Sequence, residues 1–137
     1  MKLATASRNA ACQALVSRLD AAAGPGYIEI RTGAGPSGPN AAANGTLLAT
    51  LPLSDPAFDT AGTTGAGIAV ADTIDVVQGI ANGDAGWFRA YDGDDNFVED
   101  GTVSVSGGGG ELELNTVTVS IGVDVAVTAW SIVMPES

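Results

Sequence analysis

Asp92-Gly93-Asp94-Asp95-Asn96 is the densest run of metal-affine oxygens in the chain. Asp92, Asp94 and Asn96 have the alternate spacing with which a calcium loop opens, and hard carboxylate and amide oxygens suit that ion. The register then fails. Phe97 stands where such a loop requires glycine, and Val103 stands where it requires a bidentate glutamate. The same residues have the composition of a β-hairpin turn, and a solvated turn accounts for them.

Two pairs of carboxylates, Asp94 with Glu99 and Glu111 with Glu113, have the residue types of a glycoside hydrolase. That chemistry needs one acid held protonated in a desolvated site across a cleft from its partner. Both pairs fall in glycine-rich segments with the look of exposed turns, so no catalytic residue is assigned. Trp87, Tyr91 and Trp130 have the types of a stacking platform for a sugar ring, although aromatics on strands more often anchor a core or an interface. Gly65-Ala66-Gly67 and Gly107–Gly110 lack the spacing and the following lysine of a phosphate-binding loop. No cofactor and no metal are expected.

The wider composition narrows the functions further. The chain has no histidine, the side chain best matched to proton transfer near neutral pH and the commonest metal ligand. Its single cysteine, Cys12, cannot close an internal disulfide. Four of the five cations (Lys2, Arg8, Arg18 and Arg31) lie in the first 31 positions, and beyond them Arg89 faces 14 acids. A net charge of −11 repels phosphate-lined ligands, so direct nucleic-acid binding is not expected. No apolar run reaches the ~20 residues that span a bilayer, so no membrane partner is expected. Arg8 interrupts the opening residues before an apolar stretch develops, so they do not read as a secretion leader, and synthesis in the host cytoplasm is expected. The 137 residues are of single-domain size, read as an N-terminal helical segment (1–24) and an antiparallel β body (25–137).

Residue periodicity supplies the elements that would position these groups. Ala11, Cys12, Leu15, Val16 and Leu19 form one apolar stripe at helical spacing, predicting a helix from about Ser7, as N-cap, to Ala22. Cys12 lies in that stripe and reads as buried filler. Gly24-Pro25-Gly26 stops the helix. The period then becomes two. Ile28 and Ile30 share a face, as do Leu47, Ala49, Leu51 and Leu53, with Pro52 placing the end of that strand at a sheet edge. Residues 32–45 and 54–67 read as loops, and 68–80 are ambiguous between strand and short helix. From Trp87 the pattern sharpens into a hairpin around Asp92–Asn96. Gly107–Gly110 reads as a flexible connector, and Gly122-Val123-Asp124 as the turn of a last hairpin whose second arm ends at Trp130, Ile132 and Met134. The sum is a mainly β chain, an antiparallel β-sandwich or barrel-like domain with one N-terminal α-helix.

Several stretches carry a resemblance: Arg8–Cys12, Gly26–Gly33, Gly45–Leu51, Ser54–Phe58, Ala85–Arg89 and the Asp92–Asn96 hairpin. Together they resemble a family of small virion structural proteins of tailed bacteriophages. The resemblance implies a non-enzymatic particle component, best placed as a capsid decoration (cement) protein that bridges major capsid protein subunits on the capsid exterior. A tail or head–tail connector component is the competing placement, and a receptor- or carbohydrate-binding β-sandwich is the third. A homotrimer at three-fold positions is expected, with the major capsid protein and other copies of the chain as partners. Cations and large aromatics anchor most interfaces, so Arg8, Arg18, Tyr27, Arg31, Trp87, Arg89 and Trp130 are the expected contact residues.

Overall fold

The computed structural model describes residues 1–136. Helix α1 (Thr5–Ser17) is followed, among the described residues, by strands β1 (Tyr27–Thr32), β2 (Leu47–Pro52), β3 (Ile68–Val70), β4 (Val77–Gln78) and β5 (Gly83–Tyr91). The chain continues through β6 (Phe97–Val105), β7 (Leu112–Leu114), β8 (Thr118–Val119), β9 (Asp124–Val125) and β10 (Val127–Val133). The fold is mainly β with one N-terminal helix. Its main sheet runs β2-β1-β5-β6-β7-β10-β3 and curls into a half-barrel, β8 pairs with the start of β5, and β4 and β9 form a small second sheet.

Helix α1 starts earlier and stops earlier than its stripe predicts. Ala4 is the N-cap and provides no side-chain bond, so Ser7 lies inside the first turns. The helix ends at Ser17 because residues 18–20 tighten into a turn, with Leu19 N–H donating to Val16 C=O at 3.1 Å. That turn still delivers the stripe: Cys12, Val16 and Leu19 are buried against the sheet. Cys12 Sγ lies 3.6 Å from Ile132 C=O, and burial pushes its thiol pKa up. The opposite polar positions secure residues 54–67. Asn9 Oδ1 accepts from Gly67 N–H at 2.6 Å, Gln13 Oε1 from Ala61 N–H at 2.9 Å, and Asp20 Oδ1 from Ala57 N–H at 2.9 Å. A segment too rich in breakers to form its own ladder thus has three of its backbone donors satisfied by the helix and the turn that follows it.

The central hairpin, β5 and β6, follows its sequence pattern, and both faces of β5 are covered. Phe88 and Ala90 face the core, where Trp130 meets Phe58 and Phe88 edge-on at ring separations of 4.6 and 5.5 Å. On the other face the 32–45 loop closes over Trp87 and Arg89. Pro52 ends β2, the outermost strand of the sheet.

Two topological expectations are corrected. First, β6 and β7 are parallel, pairing Val103 with Leu112 and Val105 with Leu114, so the sheet is mixed. Residues 106–111 make the return, which is far shorter than the usual crossover. Gly107 (φ 82°) and Gly109 (φ 86°) turn the chain, and a Cβ on Gly110 would sit 2.7 Å from Ser104 N. The glycine run is therefore a fold-back packed onto β6 and not a loose connector. Second, Gly122 (φ 78°) does turn the chain, but the arms on either side part company. β8 joins β5 and β9 joins β4, so they form no hairpin with each other.

Candidate functional site

The expected contact residues divide by burial. Trp87 and Trp130 are each 2 % exposed and Arg89 is 5 % exposed, so none of the three presents a surface to a partner or a sugar ring. Their polar groups are used internally. Trp87 Nε1 donates to Thr32 C=O at 3.1 Å, and Arg89 donates to Asp100 at 2.6 and 2.9 Å and to Ala41 C=O at 2.9 Å. The Arg89 guanidinium also lies 4.2 Å from the Phe97 ring centre, which adds cation–π attraction. The sugar platform of Trp87, Tyr91 and Trp130 does not form: the 32–45 loop, some fifty residues upstream, roofs Trp87, and Trp130 packs into the core against Phe58 and Phe88.

Arg8 and Arg31 are half-buried, the first donating to Met134 C=O at 3.2 Å and the second pairing with Glu29 at 3.3 Å. Tyr27 stacks on Tyr91 at 4.9 Å and donates its hydroxyl to Asp95 at 2.8 Å. Of the seven residues, Arg18 alone is exposed.

The Asp92–Asn96 turn is closed on itself. Asp92 Oδ1 accepts from the backbone N–H of Asp94 and of Asn96, both at 2.9 Å, and Oδ2 accepts from the Asn96 amide at 3.0 Å. These bonds, led by the Asn96 N–H, hold its carboxyl below the usual range. Asp92 is thus a turn-capping carboxylate.

The acidic pairs named from sequence are regrouped. Asp94 is exposed on the turn, and Glu113 accepts from Gly107 N–H at 2.9 Å within the fold-back. The cavity-lining pair is Glu99 with Glu111. Glu99 alternates with Gly101 and Val103 along β6 and so faces the core, opposite Ala90. It borders a cavity of about 200 Å³ walled by Leu15, Phe88, Trp130, Ile132 and Met134. A side chain at Gly101 would collide with the Glu111 carboxylate and the Phe88 ring, so the glycine lets this wall close. Burial, with the charges of Glu111 and Asp100 added, pushes the Glu99 carboxyl up to about 7. Its Oε1 is buried without a hydrogen-bond partner. The signal was present in the sequence as a glutamate in phase with Val103, on the face that alternation assigns to the core. Only the depth of the site was hidden.

A second feature lies on the small β4–β9 sheet. Val76, Ile80, Ile121 and Val123 are 55, 58, 66 and 49 % exposed. The segments carrying Ile80, Ile121 and Val123 meet at Gly79, which donates to Val123 C=O and accepts from Gly122 N–H, both at 2.9 Å, while Val76 precedes β4 at its other end. Val77 and Val125 pair in this sheet, with Val125 fully buried against the core, while Gln78 and Asp124 pair on the outside. Asp75, Asp84 and Asp124 are exposed beside these residues, and Arg89, the sole cation beyond Arg31, is buried. The charged residues that flank this apolar surface along the chain are all carboxylates. No helix among the described residues is long and apolar enough to cross a membrane.

No family model, curated protein or solved structure matches the chain.

Proposed function

We propose that this protein is a non-enzymatic structural component of a tailed-phage virion, a capsid decoration protein that docks on the major capsid protein from outside and reinforces the head. The observation that carries the docking reading is the grouping of Ile80, Ile121 and Val123 around Gly79, whereas the other exposed large apolar side chains, among them Val105 and Val133, lie on other segments. Exposed aliphatic groups gathered around one point on a soluble domain mark an interaction surface. The occupant it fits is a protein surface with an apolar centre and a rim of Lys and Arg, because the charged residues flanking the patch along the chain, Asp75, Asp84 and Asp124, are all carboxylates. The resemblance in the Arg8–Cys12, Gly26–Gly33 and Ala85–Arg89 stretches points to a virion as the setting. A net charge of −11 keeps free copies apart until such sites appear, and repetition over a symmetric shell makes a modest contact effective. The proposal includes assembly as a homotrimer.

The test is co-sedimentation of the purified protein with DNA-filled heads of the encoding phage, followed by heating. Binding that raises the heat resistance of the heads, and that is lost in the exposed-site variant Ile121→Asp/Val123→Asp, supports the reading. Bare heads at saturating protein remove it, and density on the tail in particle images moves the role there.

A further inference from the structure

The Glu99 cavity plays no part in docking through the small sheet. It is bounded by α1, β5, β6, the segment entering β7, and β10 with its C-terminal extension. Its walls are mainly aromatic and aliphatic, with Ser131 among them, and its two carboxylates differ: Glu99 has an oxygen that is buried and unbonded, while the exposed Glu111 accepts from Thr102 N–H at 3.0 Å and keeps lone pairs free. The charged and titratable groups around Glu99 are Glu111 from the fold-back, Asp100 on β6 and the Cys12 thiol on α1. Arg8, the cation at this end of the molecule, donates to Met134 C=O and is not among the groups perturbing Glu99. The cavity therefore has hydrogen-bond acceptors and negative potential but no cation of its own among its lining residues.

An unpartnered carboxylate in an apolar wall is unfavourable, and a donor that carries positive charge relieves that penalty most. An apolar cavity of ~150 Å³ accommodates benzene, so about 200 Å³ holds a ring of that size with one substituent. Trp130 and Phe88 are suited to an organic cation beside its charged head.

We infer that the cavity between α1 and the β5–β6–β10 wall is a binding site for a small primary ammonium compound, its charged nitrogen donating to Glu99 and Glu111 and its apolar body lying against Trp130, Phe88 and Met134. Binding is non-covalent, and no bond in the ligand is broken.

The probe is benzylammonium, titrated into the full chain at pH 8 and followed by calorimetry and by the Trp130 indole signal in ¹H–¹⁵N spectra. Saturable binding that moves the Trp130 signal is expected. Benzyl alcohol, which has the same body without the charge, should bind roughly tenfold more weakly, and so should benzylammonium on Glu99→Gln, since a charge-assisted hydrogen bond has that weight. Glu99→Gln removes a buried charge and keeps the side-chain shape, so it retains the fold, which its spectrum verifies directly. Glu111→Gln should weaken binding by a smaller factor. Absence of saturation, equal binding of the alcohol, or unchanged affinity in Glu99→Gln would each overturn the inference. Head binding does not enter the measurement, so its outcome is separate from that of the docking role.

Discussion

Arg89 Nε donates to Asp100 Oδ1 at 2.6 Å and Arg89 Nη2 donates to Asp100 Oδ2 at 2.9 Å, a two-pronged pair between directly opposed residues of β5 and β6. A third bond, to Ala41 C=O, ties the 32–45 loop to the same guanidinium. The pair is therefore a clasp that joins two strands and a loop. The hydrogen bonds and charge of Asp100 outweigh the desolvation of a largely buried guanidinium and raise the Arg89 pKa.

Asp100→Asn should accordingly destabilise the fold by about 2–4 kcal/mol, because it leaves a buried cation without its anion. Urea denaturation followed by tryptophan fluorescence measures this. A change within experimental scatter would show that the clasp is dispensable.

Glu99 sets a pH dependence of definite sign. Its carboxyl titrates at about 7 in the folded state against 4.5 for a free glutamate, so the folded state holds the extra proton between those values. Stability from this group is complete below 4.5 and declines as pH rises through 7, by up to about 3 kcal/mol. Glu99→Gln should remove that decline and be more stable than wild type at pH 8. Denaturation midpoints across pH 5–8 for both proteins make the comparison. Asp92, whose carboxyl is held low, acts with the opposite sign, losing stability as pH falls, and is common to both.

The helix-to-loop bonds of Asn9 and Gln13 give a local prediction. Asn9→Ala and Gln13→Ala each remove the acceptor of one backbone N–H, at Gly67 and Ala61, and should cost about 1–2 kcal/mol. The amides of residues 54–67 should exchange faster with deuterium while the β5–β6 hairpin keeps its protection. Uniform acceleration over the whole chain would contradict a local strap.

Trp130→Ala removes a buried indole that packs edge-on against both Phe58 and Phe88. It should lower stability by about 3–5 kcal/mol, the usual cost of emptying an aromatic core site. Thermal unfolding checks this. Loss of any binding in that variant would report on folding and not on a surface platform.

The fold-back supplies a backbone prediction. Gly110→Ala places a methyl group about 2.7 Å from Ser104 N and 2.9 Å from its hydroxyl, inside contact distance, and should destabilise by more than ~1 kcal/mol, whereas an open glycine site would be neutral or gain up to ~1 kcal/mol. Gly24→Ala, where nothing lies within 4 Å of the added methyl, is the matched control in the same denaturation series.

How far the sequence alone could be read follows from the range of each interaction. The stripe of Cys12, Val16 and Leu19, the alternation of Ile28 and Ile30, the Asp92–Asn96 hairpin and the edge position marked by Pro52 rest on neighbours in the chain, and periodicity encodes these directly. The exact helix ends did not follow, because Asp20 turns away to meet Ala57 and no side chain caps Ala4. Ile121 and Val123 are in phase with the buried Val119 and Val125, yet the turn at Gly122 leaves them outside. Their odd numbering carried no information about which partner each short strand would find.

The amino-acid order by itself determined the mainly β character, the single helix, the acidic surface and the scarcity of cations, since these depend on residue type and local repeat. Tertiary structure alone decided that Trp87 and Arg89 lie under a loop, that β6 and β7 run parallel, and that Glu99 meets Glu111 across one cavity. Such pairings join residues far apart in the chain or separated by a reversal, and their geometry comes from the packing of whole elements against each other.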